Sequence, residues 1–544
     1  MPLVDTKFCR FRMKEKYIMA NKNLFKAAKT PVEVKVNTAN KWKETVNQAG
    51  GTAFSFPDKL ALAQFAVTGT FNNVFYANAE DQLESVKALV AKVDSAFIAK
   101  LAVYSHESAF MKDMPAYLLA VLHARQESEL LAAVFGRVVS TFKMLSNFVQ
   151  IVRSGVTGRK SFGTSTKRLI QEWLARKTAM QTFNGSIGLS DPSVSDVIKM
   201  VHPNVGDDIT KDAVYAYLTE ARGWESKLGN LPDDLKAFEA LKKGEASVVP
   251  NIPFRALTNV NLSVEQWRDI ARNMPFNTLR QNLNMLSRRK VFDDSDFLIE
   301  IAEKLSSQDE VLKSKVMPFQ LFTAYQNTTE LPVELTNALQ NAAEISTQNV
   351  PTFGKKTLVF VDVSGSMRSS VTGYRPGVPQ SKTSCVDVAA LMASCVLRQN
   401  NNAEVVLFDT SVHRVTLNPR DSIVSNAQKI AQFYGGGTDL SVAMADANRN
   451  KSMADTVIYV SDNMSWAGGR WGTASEWVNY KKRVPHAKLV NIDIQPMASA
   501  QLPDNKDVLN IGGFTDAIWP AIAAFVNDKS GGDFVSTIEE SVAL

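Results

Sequence analysis

The feature that most constrains this chain is a change of pattern at Pro351. From about Phe56 to Asn349, apolar residues recur every three or four positions. In DQLESVKALVAKV, Leu83, Val86, Val90 and Val93 share one helical face, with Lys87 and Lys92 off it. ELLAAVFGRVVSTF repeats the habit through Leu130, Val134, Phe135 and Val138. Beyond Pro351, short β-branched runs alternate with helical stretches. The runs are KTLVFVDV (356–363), AEVVLFDT (403–410), TVIYVSD (456–462), HAKLVNIDI (486–494) and DVLNIGG (507–513). Apolar strands alternating with helices predict a mostly parallel sheet covered on both faces.

A chain of 544 residues is too long for one core, so two domains are expected. The first, 21–350, reads as an irregular stack of helix pairs, a HEAT-like repeat solenoid. A globular bundle is the alternative, and nearly 300 helical residues are many for one bundle core. Breaks such as LSDPSVSD, NVNLSVEQW and ARNMPFNTLR put Ser, Asp or Asn just before a helix, often with Pro in its first turn. The second domain, 351–544, is α/β. Residues 1–20 read as an N-terminal extension, because Met19 opens MANKNLFKAAK, a normal start. The N-terminal 25 residues are basic without the apolar core of a secretory signal, and no apolar stretch is long enough for a membrane helix. Three scattered cysteines, Cys9, Cys385 and Cys395, make neither a disulfide framework nor a zinc site. A cytoplasmic location fits.

The DVSGSM loop raises the question of chemistry. An apolar strand ends there in an acid and two hydroxyls on alternate positions, Asp362, Ser364 and Ser366. In parallel sheets, sites form at the carboxyl ends of strands. GGGTDL places Thr438 in a turn before a helix, and VIYVSDN ends a later strand at Asp462. These three loops can converge on one edge. The five side chains offer oxygen only, which suits Mg²⁺ or Mn²⁺ rather than Zn²⁺. Two carboxylates leave such an ion short of anionic ligands, so a partner's carboxylate or phosphate can complete it.

The net charge of +6 lies wholly in residues 1–350, because 351–544 hold 18 basic and 18 acidic residues. The densest basic stretch is RSGVTGRKSFGTSTKRLIQEWLARK, 153–177. Arg153, Arg159, Lys160, Lys167, Arg168, Arg176 and Lys177 face a single acid, Glu172. Glycines and hydroxyls lie between them at a helix start, the combination that phosphates need. A solvated helix face is the plainer reading of any such charge run.

The order D-V-S-G-S-M, then G-G-T-D, then a strand-end Asp resembles the von Willebrand factor A (vWA) domain and its metal-ion-dependent adhesion site. That family pattern uses Thr438 as a ligand and leaves Asp439 to cap the next helix. SDNMSWAGG, YKKRVPHAKLV and IGGFTDAIWPAI resemble the C-terminal half of the Ro60 (TROVE-domain) family. FMKDMPAYLLAVL, FVQIVRSGVTGRKSFGTSTKRLIQEWL and MPFNTLRQNL resemble its N-terminal module. The match is to a bacterial-type member. It implies a monomeric ring of HEAT-like helices bound to a vWA domain. It also implies Y-like small structured RNA on the outer surface, with misfolded or single-stranded RNA ends threaded through the centre. The role would be non-coding RNA quality control, alongside an exoribonuclease and without catalysis. His202 matches a histidine beside the family's RNA channel; Lys199 lies a turn before it, and Arg280 is a further candidate lining residue. The loop NGSIGLSDPSVSD, basic in eukaryotic-type members, here carries no Lys or Arg.

The residues show no nucleophile–base pair, no phosphate-binding P-loop and no dinucleotide fingerprint. Two acids and three hydroxyls are fewer than phosphoryl-transfer sites gather. The rival readings are a protein-interaction scaffold without RNA and, behind it, a Mg²⁺-dependent hydrolase.

Overall fold

The computed structural model describes residues 43–544 apart from 69–70, 75–76, 329, 354–355, 375–376, 378–379, 434, 468–471, 496, 504, 515–517 and 528–532. The expected extension and the start of the helical part at residue 21 lie outside the described residues, as does Cys9. The described chain opens with a hairpin, β1 (Lys43–Val46) and β2 (Thr52–Ser55), paired antiparallel. Eighteen α-helices follow among the described residues, from α1 (Asp58–Thr68) to α18 (Val333–Ser346). Those used below are α3 (Ser95–Glu107), α4 (Asp113–Ala124), α5 (Ser128–Val138), α6 (Phe142–Ser154), α7 (Gly163–Ala175), α8 (Ala179–Ser186), α9 (Val194–Val201), α10 (Ile209–Thr219), α14 (Phe276–Arg288) and α17 (Pro318–Gln326). Polar caps mark several helix starts. Asp94, Thr141, Thr178, Ser193, Asp208 and Ser263 each accept a backbone N–H of the first turn.

Helices pack on sequence neighbours. α3 lies on α4 and α5, α4 on α6, α5 on α7, α6 on α8 and α9, and α9 on α10. Such near-neighbour packing marks a solenoid rather than a bundle with one shared core.

The second half holds a six-stranded sheet. Its strands are β3 (Thr357–Asp362), β4 (Ala403–Phe408), β5 (Val412–His413), β6 (Thr456–Ser461), β7 (Lys488–Asp493) and β9 (Val508–Gly512), in the order β5-β4-β3-β6-β7-β9. All neighbours are parallel except the edge pair β4–β5. Every residue of β3 and β6 is buried, as continuous apolar runs require. α19 (Cys385–Gln399) covers one face, while α21 (Leu440–Arg449) and α22 (Gly472–Arg483) cover the other. The chain leaves β3 for β4 on one side and returns to β6 on the other. That reversal puts the crevice of the sheet at the carboxyl end of β3.

Both ends of the helical series rest on this second half. At the near end, β2 pairs with the two-residue strand β8 (Ser499–Ala500), and Phe56 N–H donates to the Ala498 carbonyl at 2.9 Å. α1 packs on β9 and on the C-terminal helix α24 (Phe534–Ser541), which follows α23 (Ile518–Val526). Lys59 Nζ reaches Glu539 at 2.8 Å, and Arg137 donates to the Ala543 carbonyl at 2.8 Å. At the far end, α18 packs on α20 (Ile423–Ala431), where Glu344 accepts the Ile423 N–H at 2.6 Å. Thr323 of α17 meets Thr383 at 2.6 Å. The two halves therefore form a closed circuit. Ile538 of α24 is fully buried in the joint. Ile538→Val is expected to cost about 1 kcal/mol in denaturant unfolding, the usual loss of one buried methyl.

Candidate cation site and basic surface

The three predicted loops do meet at the carboxyl end of β3. Asp362 Oδ1 accepts the Ser364 N–H at 2.8 Å. The Ser364 and Ser366 hydroxyls lie 3.3 Å apart, and the Ser366 hydroxyl reaches Asp462. The glycine-rich loop is laid across the other two. Gly435 N–H donates to the Val363 carbonyl at 3.1 Å, and Gly365 N–H to the Gly436 carbonyl at 3.0 Å. The Thr438 carbonyl takes the N–H groups of Trp466 and Ala467 at 3.0 and 3.1 Å. Asp439 caps α21, accepting the Ser441 N–H at 2.9 Å, and so stays out of the set.

Asp362, Ser364, Ser366, Thr438 and Asp462 are all at most 5% exposed. Burial above all, and then the Asp462 charge, pushes the Asp362 carboxyl well above the usual carboxylate range. Burial does the same to Asp462, whose Oδ2 has no hydrogen-bond partner. Two buried acids and an unsatisfied oxygen fit a hard cation, which supplies the positive charge they lack. Among the described residues, no three His, Cys, Asp or Glu side chains are grouped to hold a metal, so any ion here depends on the hydroxyls.

Two residues beside this site carried no motif. Ser461 donates to Asp362 Oδ2 at 2.8 Å and fixes its rotamer. Asp493, ending β7 opposite Ser461, is buried and raised by burial and then by Asp462. The loop after Asp462 also touches the first hairpin: Asn47 Nδ2 donates to the Ser465 carbonyl at 2.7 Å. Trp466, next along that loop, is 50% exposed.

The basic residues lie on α6, on α7 and in the segments beside them. Arg153 ends α6; Arg159 and Lys160 lie in the loop before α7; Lys167 and Arg168 project from α7; and Arg176 and Lys177 follow it. Arg153, Lys160, Lys167, Arg168 and Arg176 are exposed, and Arg159 and Lys177 are half-buried. Lys177 Nζ sits 4.4 Å over the Trp173 ring. Gln171 of α7 donates to the Val201 and His202 carbonyls at 2.6 and 3.3 Å. That bond brings the exposed Lys199 and His202 alongside α7. His202 closes α9 in a left-handed conformation at φ 49°.

A buried histidine organises this surface. His123 Nε2 faces the Ser161 carbonyl at 3.0 Å, and Nδ1 faces the Thr166 hydroxyl at 2.9 Å. A carbonyl only accepts, so Nε2 carries the proton and Nδ1 accepts from Thr166. Burial lowers the His123 pKa below its ordinary value. The folded state thus favours neutral imidazole. This contribution to stability is complete above the unfolded pKa of about 6.5 and is lost as pH falls through the lower folded pKa. Hydrogen exchange, corrected for intrinsic rates, is expected to show faster local opening of residues 159–166 at acid pH than at neutral pH.

Arg280 corrects the sequence reading. It is 8% exposed, and its guanidinium donates to the Gln320 carbonyl at 2.8 Å, tying α14 to α17. Burial lowers its pKa to about 10. It braces helices and is nearly buried, unlike the exposed cations of α7. Trp173 and Trp267 are core residues at 5% and 1% exposure.

Residues 356–526 match the Ro60 vWA domain, and residues 255–406 match the TROVE domain. The two matches follow in order and overlap at 356–406, and the TROVE match runs across the junction where the sequence pattern changes. The chain belongs to the Ro60 (TROVE-domain) family. It is 24% identical over 529 residues to the RNA-binding protein RO60 of Deinococcus radiodurans strain R1, covering 90% of this chain and 96% of that protein. The RNA-binding protein RO60 of Caenorhabditis elegans is 26% identical over 318 residues, which are 56% of this chain and 47% of the nematode protein. The crystal structure of the Deinococcus radiodurans RO (RSR) protein matches with a TM-score of 0.62 at 22% identity, over 87% of this chain and 100% of that one. The helix-rich part followed by a vWA-like domain is therefore the Ro60 fold. The TROVE match begins beyond the basic surface at 153–202. No helix of the described residues is long and apolar enough to cross a membrane.

Proposed function

We propose that the chain is a non-catalytic RNA-binding scaffold of the Ro60 type. Small structured, Y-like RNA binds the face formed by α6, α7 and α9, through Arg153, Arg159, Lys160, Lys167, Arg168, Arg176, Lys177, Lys199 and His202. Single-stranded ends of misfolded RNA pass through the circuit closed by the vWA domain, for quality control with an exoribonuclease. The observation that supports this reading best is the Gln171 tie, which sets the end of α9 against α7. Cations, hydroxyls and the start of α7 together suit phosphates. The test is filter binding of a small structured RNA over a salt series, where affinity should fall steeply as salt rises. A flat salt response, or equal affinity for any polyanion, overturns it.

In the vWA domain, Asp362, Ser364, Ser366, Thr438 and Asp462 would hold Mg²⁺ or Mn²⁺. The ion supplies charge neutralisation and cross-links the three loops; burial of all five donors favours that role. The half-exposed Trp466 favours a second role, a protein partner docking beside the ion.

A further inference from the structure

A second set of unsatisfied oxygens lies at the same sheet edge. Asp493 Oδ1 accepts the Gln495 N–H at 3.1 Å, while Oδ2 has no partner. Three more buried oxygens nearby in the fold are also unpartnered: Gln495 Oε1, Asn463 Oδ1 and Ser499 Oγ. Their residues are 1%, 3% and 5% exposed. Hydrogen bonds knit these strand ends together. Ile494 N–H donates to the Ser461 carbonyl at 3.1 Å, and Asn463 Nδ2 to the Ser499 carbonyl at 3.0 Å. On the other side of β7, Gly512 is the register partner of Asp493, and the Gln64 side chain lies against it.

The Asn463 orientation is set by its bond, because a carbonyl only accepts. Asn463 spends its nitrogen on Ser499, and Gln495 spends its nitrogen on Ser369 Oγ at 3.1 Å and Cys385 Sγ at 3.2 Å. Asn463 therefore keeps its oxygen free, and Gln495 does so in the orientation that points its nitrogen at Ser369 and Cys385. A buried acceptor without a partner costs about 1–3 kcal/mol, and more when charged. In this group the one unpartnered N–H donor is the Gln64 amide, whose own oxygen is unpartnered too. Asp493 Oδ2 and Asn463 Oδ1 can only accept, and a cation satisfies both. The donors are one carboxylate, two amide carbonyls and a hydroxyl. Calcium accepts this mixture in flexible geometry, whereas zinc would want His or Cys.

We propose that Asp493, Gln495, Asn463 and Ser499 form a second cation seat, separate from the Asp362–Asp462 site, that takes a calcium-sized hard ion. The seat adds to the cation chemistry proposed above and is independent of RNA. The test is calorimetric titration of EDTA-stripped full-length protein with Ca²⁺. The expected result is two equivalents for the wild type, one for Asp493→Asn and one for Asp362→Asn. One equivalent that survives Asp493→Asn and disappears in Asp362→Asn leaves the first site standing and overturns the second. No equivalent at all overturns both, and water alone at these oxygens gives one of these two results. Should Asp493→Asn fail to fold, Ser499→Ala decides. A second equivalent weakened about tenfold or more supports the seat, since one of its few ligands is gone, and an unchanged one overturns it.

Discussion

Lys167→Glu with Arg168→Glu is expected to weaken binding of a small structured RNA by ~100-fold or more at near-physiological salt. Both side chains project from α7 into solvent, beside Lys199 and His202. Reversal removes two phosphate contacts and adds two repulsive charges in the middle of the surface. Each lost contact should also flatten the dependence of log affinity on log salt by about 0.7–0.9. The double variant should therefore show a slope shallower by about 1.4–1.8 as well as lower affinity. Fold is not at stake, because neither residue is buried. Reversing the exposed Arg449 and Lys482 on the vWA domain changes net charge equally and should leave affinity almost unchanged. Filter binding over a salt series reads all three results. Equal losses in the two double variants would mean that only net charge matters.

Asp362→Asn should abolish the stabilisation by magnesium. In the wild type, an ion at the first site binds the folded chain alone. Free Mg²⁺ at a hundred to a thousand times its dissociation constant should add about 3–4 kcal/mol to unfolding. The variant loses that gain, because the carboxylate at the centre of the set is gone. Without the ion the order reverses. Asp362 and Asp462 are buried acids that disfavour one another, so deleting one charge removes repulsion and the variant should melt higher than the stripped wild type. Paired thermal melts with EDTA and with Mg²⁺ test both signs at once. A wild type indifferent to Mg²⁺, Mn²⁺ and EDTA would remove the cation from the account.

The residues legible in the sequence share a physical reason. β3 and β6 are six-residue apolar runs buried on both faces, and a run of that kind has few alternatives. The Asp-x-Ser-x-Ser spacing forces three oxygens into one tight loop, so its convergence followed from local geometry. Asp493 carried no such spacing, and only the β6–β7 register reveals what it faces. β1, β2 and β8 are two to four residues long and mostly polar or small, too short for a period to show. Arg280 was misread for its charge. It sits in the stripe Phe276, Leu279, Arg280 and Leu283, spaced as a buried helix face, and that spacing was the available signal. The Gln171 tie depends on how α7 meets α9, which no local pattern encodes.

The pairing of β2 with β8 has a consequence for biosynthesis. Thr52–Ser55 leaves the ribosome long before Ser499–Ala500, its hydrogen-bonding partner. At common elongation rates of about 5–20 residues per second, that delay is roughly 20–90 seconds. Through that interval the first hairpin has an unpaired edge, and the side of α1 that packs on β9 and α24 is uncovered. Nascent chains stalled before residue 499 should bind holdase chaperones and lose them once the last strands emerge.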